Sequence, residues 1–158
     1  MSYRAKIVSQ KTLKKKITGL RKQKKTVAFT NGCFDILHLG HVLYLQRAKK
    51  NRILIVGLNS DRSVRKIKGP RRPILPEKAR AALLASLECV DYVTLFNEET
   101  PAKLIAALKP DVLIKGADWK GKEVAGSESV RKVEYIKYID GCSTSHIIKK
   151  IIDAYHQK

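Results

Sequence analysis

Short apolar runs with no polar interruption recur along this chain, each followed by a stretch of helical spacing. That alternation limits the fold more than any other feature. "RILIVGLN" (52–59) and "DVLIKG" (111–116) place apolar residues at consecutive positions. A strand with one wet face alternates apolar and polar residues; an unbroken run belongs to a strand covered on both faces, as in parallel sheets. "TVAFT" (26–30), "VDYVTLF" (90–96) and "VEYIKYI" (133–139) supply three more strands. Between the strands, Leu13, Ile17 and Leu20 recur at helical spacing in a segment from about 10 to 22 that Ser9 can cap. Further helices fit "GHVLYLQRAKK" (40–50), "EKARAALLASL" (77–87) behind Pro76, "TPAKLIAALK" (100–109) ended by Pro110, and "STSHIIKKIIDAY" (143–155). Residues 61–76 read as a basic loop with one helical turn at its start, and 117–130 as irregular. Strands alternating with helices predict an α/β chain: a Rossmann-like, doubly wound sandwich around a five-stranded, mainly parallel sheet. With 158 residues, no internal repeat and no long linker, one domain over 1–158 is expected, the N-terminal helix included.

Such sheets bind ligands beyond the carboxyl ends of their strands. Four loops fall there on this reading: 31–40, 59–76, 115–130 and 140–145. They also hold most of the unusual polar residues. The net charge of +19 favours anions: nucleic acid, anionic lipid or phosphorylated metabolites. Aromatic residues make up 6% and do not interleave with the basic stretches, which disfavours a single-strand binder; nucleic acid is expected only as a non-specific partner. No window is long and apolar enough for a membrane span, and the start "MSYRAKIVSQKTLKKK" lacks the apolar core of a secretory signal. A cytoplasmic protein is therefore expected, with no membrane partner. Cys33, Cys89 and Cys142 are widely spaced and read as reduced thiols, not as a zinc or disulfide framework.

"TNGCFDILHLGH" (30–41) carries two of the four histidines. His38 and His41 share one helix face, and Gly40 leaves room for a ligand near the backbone. At the first turn of a helix, free N–H groups and the macrodipole attract an anion. Phosphate ligands, core histidines and metal ligands are the three readings. Metal lacks a plausible set of further ligands: there is no HExxH and no nearby Cys/His cluster. "GADWKGKE" (116–123) imitates a P-loop, but Glu123 stands where the Mg²⁺-binding hydroxyl belongs. "KIKGPRRPILPEKAR" (66–80) is either a solvated basic loop or a clamp for a phosphoryl group, through Lys68, Arg72 and Arg80. The hydroxyls of Ser143, Thr144 and Ser145 either cap a helix or cradle a phosphate; Asp35 and Asp61 either cap loops or bind a sugar hydroxyl or an ammonium. A site rich in cations and helix starts, and poor in bases, suits phosphoryl or nucleotidyl transfer, which needs positioning and charge stabilisation. A phosphate monoester acceptor is mostly a dianion at neutral pH and needs no general base.

"TNGCFDILHLGH" with its HxGH, then "GLNSDRSV", "KGPRRP", "KGADW" and "STS", resembles the cytidylyltransferase-like nucleotidyltransferases. "VDYVTLFNEETPAKLIAALKPDVLIKGADW" and "EVAGSESV" are similar to one branch, the D-glycero-β-D-manno-heptose 1-phosphate adenylyltransferases. The resemblance implies that ATP and heptose 1-phosphate give ADP-heptose and pyrophosphate, with Mg²⁺ accompanying ATP and no tightly held protein metal. ADP-heptose supplies the inner core of lipopolysaccharide. His38, His41 and Lys68 would be catalytic. Asn31, Gly32, Cys33, Phe34, Gly40, Lys115, Gly116, Asp118, Ser143, Thr144 and Ser145 would surround the nucleotide, and Asp35, Asp61, Arg72 and Arg80 the acceptor. A homodimer is implied. So is a separate heptose 7-phosphate kinase, because the chain has no room for the fused kinase domain that often accompanies this branch. Two departures stand out: STS replaces the STT form, and "KYIDG" offers Tyr138 and Ile139 where related glycerol 3-phosphate enzymes carry an Arg.

Overall fold

The structure is a computed structural model and describes residues 2–137, 141 and 143–156. Five strands form one sheet: β1 (Val27–Gly32), β2 (Ile53–Asn59), β3 (Tyr92–Phe96), β4 (Val112–Gly116) and β5 (Lys132–Ile136). Their order is β3-β2-β1-β4-β5, and every neighbouring pair is parallel. The helices are α1 (Tyr3–Lys6), α2 (Gln10–Lys22), α3 (Leu39–Lys49), α4 (Asp61–Lys68), α5 (Glu77–Ser86), α6 (Ala102–Leu108) and α7 (Thr144–Tyr155).

The pleat sends alternate strand residues to opposite faces. Val27, Phe29, Ile55, Phe96 and Leu113 meet Leu13 and Ile17 of α2 and Leu104, Ile105 and Leu108 of α6. Ala28, Leu54, Val56, Leu58, Val93 and Ile114 meet Tyr44, Leu45 and Ala48 of α3 and Ala81, Leu84 and Ala85 of α5. Each large apolar side chain buried this way contributes about 1.5–3 kcal/mol. Gly57 is dictated by the packing: a Cβ there would fall 2.4 Å from Phe29 Cζ. Two aspartates fix where strands begin. Asp111 accepts from the Val27 amide at 2.9 Å, and Asp91 from the Leu54 amide at 2.6 Å.

Several boundaries differ from expectation. β1 runs on to Gly32, so Asn31 and Gly32 end a strand rather than start a loop. The basic loop after β2 opens with two helical turns, because Ser60 caps α4 by accepting from the Ser63 amide at 3.2 Å and Val64 is buried. The 117–130 stretch holds two single-turn 3₁₀ segments, Ala117–Trp119 and Ser127–Ser129. β5 ends at Ile136; Tyr138, Ile139, Asp140 and Cys142 lie outside the described residues.

Candidate active site

The chain winds outward from β1 to β3 on one side and from β4 to β5 on the other. The switch point therefore lies between β1 and β4, where such sheets open a crevice. A cleft of about 670 Å³ opens at that point. It gathers the ends of β1 and β4, the starts of α3 and α7, and the end of α4.

Asn31, Gly32, Cys33 and Phe34 line its floor. A Cβ on Gly32 would sit 3.0 Å from Phe34 Cε2, so the ring lies against bare backbone. Phe34 itself has φ 42°, a left-handed conformation costing an aromatic residue about 1–3 kcal/mol. That turn brings its ring centroid within 5.1 Å of the His41 ring. His38 is the N-cap of α3, yet its side chain makes no capping bond. Its ring instead stacks on His41, with centroids 3.8 Å apart and planes 21° from parallel. The Nδ1 atoms of both rings are buried and unpartnered among the described residues. Burial, then the neighbouring His38, push His41 down to about 4, against the opposing pull of the Ile36 backbone and Asp35. Burial lowers His38 as well. Two neutral imidazoles thus sit beside a helix start, each with one N–H to donate.

Lys115 is buried at the end of β4; its Nζ donates to Asn31 Oδ1 at 2.7 Å and lies 5.0 Å from the Trp119 ring centroid. Burial lowers its pKa to about 8, against the pull of Asp118. Gly116, Asp118 and Trp119 continue that wall, and Lys68 and Arg72 form another. Asp35 is fully buried and accepts from Arg72 Nε at 2.6 Å and from the Ile74 and Leu75 amides at 2.9 Å. Burial alone would raise its pKa; the Leu75 and Ile74 amides and Arg72 reverse that and lower it. Across the cleft, Ser143 caps α7, its Oγ accepting from the His146 amide at 3.1 Å. Thr144 and Ser145 line the cleft beside it.

Three residues expected at the site are elsewhere. Gly40 is buried in the first turn of α3. Arg80 is fully buried, donating to Leu75 O at 3.0 Å, Cys33 O at 2.6 Å and Asp61 Oδ1 at 2.8 Å. It ties the floor loop to α4 and α5, and Asp61 is turned toward it and away from the cleft. Other cleft residues escaped the sequence reading. Tyr44, Asn59, Ile67, Trp119 and Ala125 line it, as do Glu99, Thr100 and Pro101 from the loop after β3. The strand-end rule that picked the other loops applies to that one too.

Among the described residues no group of three or more His, Cys, Asp or Glu is placed to hold a metal ion, and no helix is long and apolar enough to cross a membrane. The doubly wound sheet, with stacked histidines and cations gathered at its switch point, defines a nucleotidyltransferase-like α/β domain. The cytidylyltransferase-like family profile matches residues 29–150, and the chain belongs to that family. The bifunctional protein HldE of Helicobacter pylori strain J99 is 57% identical over 140 residues, covering 88% of this chain and 30% of the relative. HldE of Syntrophotalea carbinolica is 47% identical over 162 residues, covering 99% and 33%. The chain thus spans about a third of the length of these curated relatives. The crystal structure of a lipopolysaccharide core biosynthesis protein from Thermoplasma volcanium superposes with a TM-score of 0.62 at 33% identity, covering 72% of this chain and 98% of that one. Pantoate-β-alanine ligase from Francisella tularensis shares the fold, with a TM-score of 0.56 at 16% identity over 96% of this chain and 79% of that one.

Proposed function

We propose that this domain transfers AMP from ATP to D-glycero-β-D-manno-heptose 1-phosphate, releasing pyrophosphate and ADP-heptose for the lipopolysaccharide core. The observation that carries the reading is the stacked, half-buried pair His38 and His41, whose Nδ1 atoms are unpartnered among the described residues at a helix start, in a cleft also lined by Lys68, Arg72 and Lys115. Such a site suits polyphosphate, and an acceptor phosphate that is already a dianion requires no general base. Similarity to the HldE relatives and to the lipopolysaccharide core biosynthesis protein supports the choice of acceptor.

On this reading a phosphate oxygen of the acceptor dianion attacks the α-phosphorus in line. The bond from that phosphorus to the β-bridging oxygen breaks, and its electron pair leaves with pyrophosphate. His38 and His41 donate to the oxygens that gain charge, and Lys68 and Arg72 draw the reacting phosphates together. Lys115, steered by Asn31 and Trp119, and Asp118 flank the nucleoside. Asn31 to Phe34 form its floor, and the start of α7 holds a further phosphate. Asp35, with its bonds already made, orients Arg72 rather than touching the sugar. Among the described residues, Asp35 is engaged by Arg72, Glu99 pairs with Lys66 at 3.5 Å, and Asp118 lines the cleft. Mg²⁺, bound together with ATP, would supply neutralising charge to the reacting phosphates. A cytoplasmic location completes the proposal.

Pyrophosphate release across ATP and CTP, each with heptose 1-phosphate, glycerol 3-phosphate and FMN, tests it. The expected result is turnover with ATP and heptose 1-phosphate alone. Turnover with CTP and glycerol 3-phosphate, or with ATP and FMN, in place of that pair would overturn it.

A further inference from the structure

The positive charge is unevenly placed. Residues 1–34 hold ten Lys and Arg and no Asp or Glu; the first acidic residue of the chain is Asp35. Most of these cations sit on α2. Leu13 and Ile17 bury its inner face, so Lys11, Lys15 and Lys22 lie along the opposite, solvent pole, with Lys14 beside them. Among the described residues, none of the six basic residues of α2 joins an ion pair, whereas cations elsewhere pair with Asp91, Glu134, Asp35 and Asp61. Lys16 lies over the Tyr92 ring, and Arg21 donates to the Leu108 and Lys109 carbonyls, fastening α2 to α6. Lys11, Lys15 and Lys22 do nothing comparable. Lys11 and Lys15 repel one another one turn apart, and Lys11 opposes the helix dipole. The fold is weakened by this row, and the cleft does not contain it.

Against the expectation of no membrane partner, we propose that the outer face of α2 docks peripherally on an anionic phospholipid surface. Charge complementarity favours this occupant, and the face carries no stacking aromatic for nucleic acid. With Leu13 and Ile17 committed to the core, the helix does not insert; attachment is peripheral, reversible and salt-sensitive. The proposal gains its purpose from the function proposed above: a nucleotide sugar for lipopolysaccharide is consumed by glycosyl transfer to a lipid-borne acceptor.

Cosedimentation of the whole chain with phosphatidylglycerol–phosphatidylcholine vesicles, and with phosphatidylcholine alone, is the test. Binding to the anionic vesicles alone is expected, lost at high salt. It should fall roughly 100-fold in the triple variant Lys11→Gln, Lys15→Gln, Lys22→Gln, whose pyrophosphate release in solution is unchanged. No vesicle binding, equal binding by the variant, or preference for RNA over vesicles at equal salt overturns the proposal. Pyrophosphate release without vesicles reports separately on the enzymatic reading.

Discussion

Two helix starts face each other across the cleft, and they are held differently. α3 is rooted: Tyr44, Leu45 and Ala48 are buried, and Tyr44 Oη lies 2.8 Å from Thr30 Oγ1 on β1. α7 is as long, yet none of its residues is buried, and Ile151, Ile152 and Tyr155 are exposed. A short helix without a buried face is marginal in water. The two histidines therefore stand on a fixed platform, while the serine cradle stands on an element with little of its own to hold it. Catalytic groups belong on the first kind of support, because misplacement is costly in rate. Groups that admit and release nucleotide can belong on the second.

The sharpest way to break this comparison is His41→Ala. The rooted side should carry the chemistry, so kcat should fall about 100-fold or more while thermal unfolding stays cooperative. Near-wild-type turnover would remove the histidines from the mechanism. Next in size is an effect of pH on stability. The folded-state pKa of His41 is about 4, below its unfolded value, so between the two the unfolded chain binds more protons. Stability present above about pH 6.5 should decline as pH falls toward about 4, by up to about 2 kcal/mol after allowance for partial exposure. Urea titrations should show this decline, and His41→Gln should flatten it. On the α7 side the effect should be on binding: Ser145→Ala should raise the ATP KM roughly tenfold, with little change in kcat or in the urea midpoint. A loss confined to kcat would reverse the roles of the two helices. Smallest is the alkaline limb. Lys115 loses its proton near pH 8, so kcat/KM for ATP should drop several-fold from about pH 7 to about pH 9, and Lys115→Met should lack that inflection.

The sheet was legible in the sequence because its strands are unbroken apolar runs, and their alternation with helices implied a mainly parallel sheet, though not the strand order. α4 was only half legible: "DRSVRKIK" buries Val64 and Ser63 and shows no apolar stripe. The HxGH pair announced itself by spacing, but the stacking of its rings did not, because that depends on the turn at Phe34. Arg80 misled for a physical reason. Its partners include the carbonyls of Cys33 and Leu75, and backbone acceptors leave no mark in a sequence. Asp35 stood out in the sequence and lines the cleft, but its clamp on Arg72 was illegible, since the contact joins positions 37 apart.

The central claim is that the acceptor phosphate attacks the α-phosphorus of ATP. Heptose 1-phosphate labelled with ¹⁸O in its phosphate group tests this most directly, with both products read by mass spectrometry. All of the label should appear in ADP-heptose and none in pyrophosphate. Label in pyrophosphate, or ADP and inorganic phosphate in place of ADP-heptose, would contradict the account.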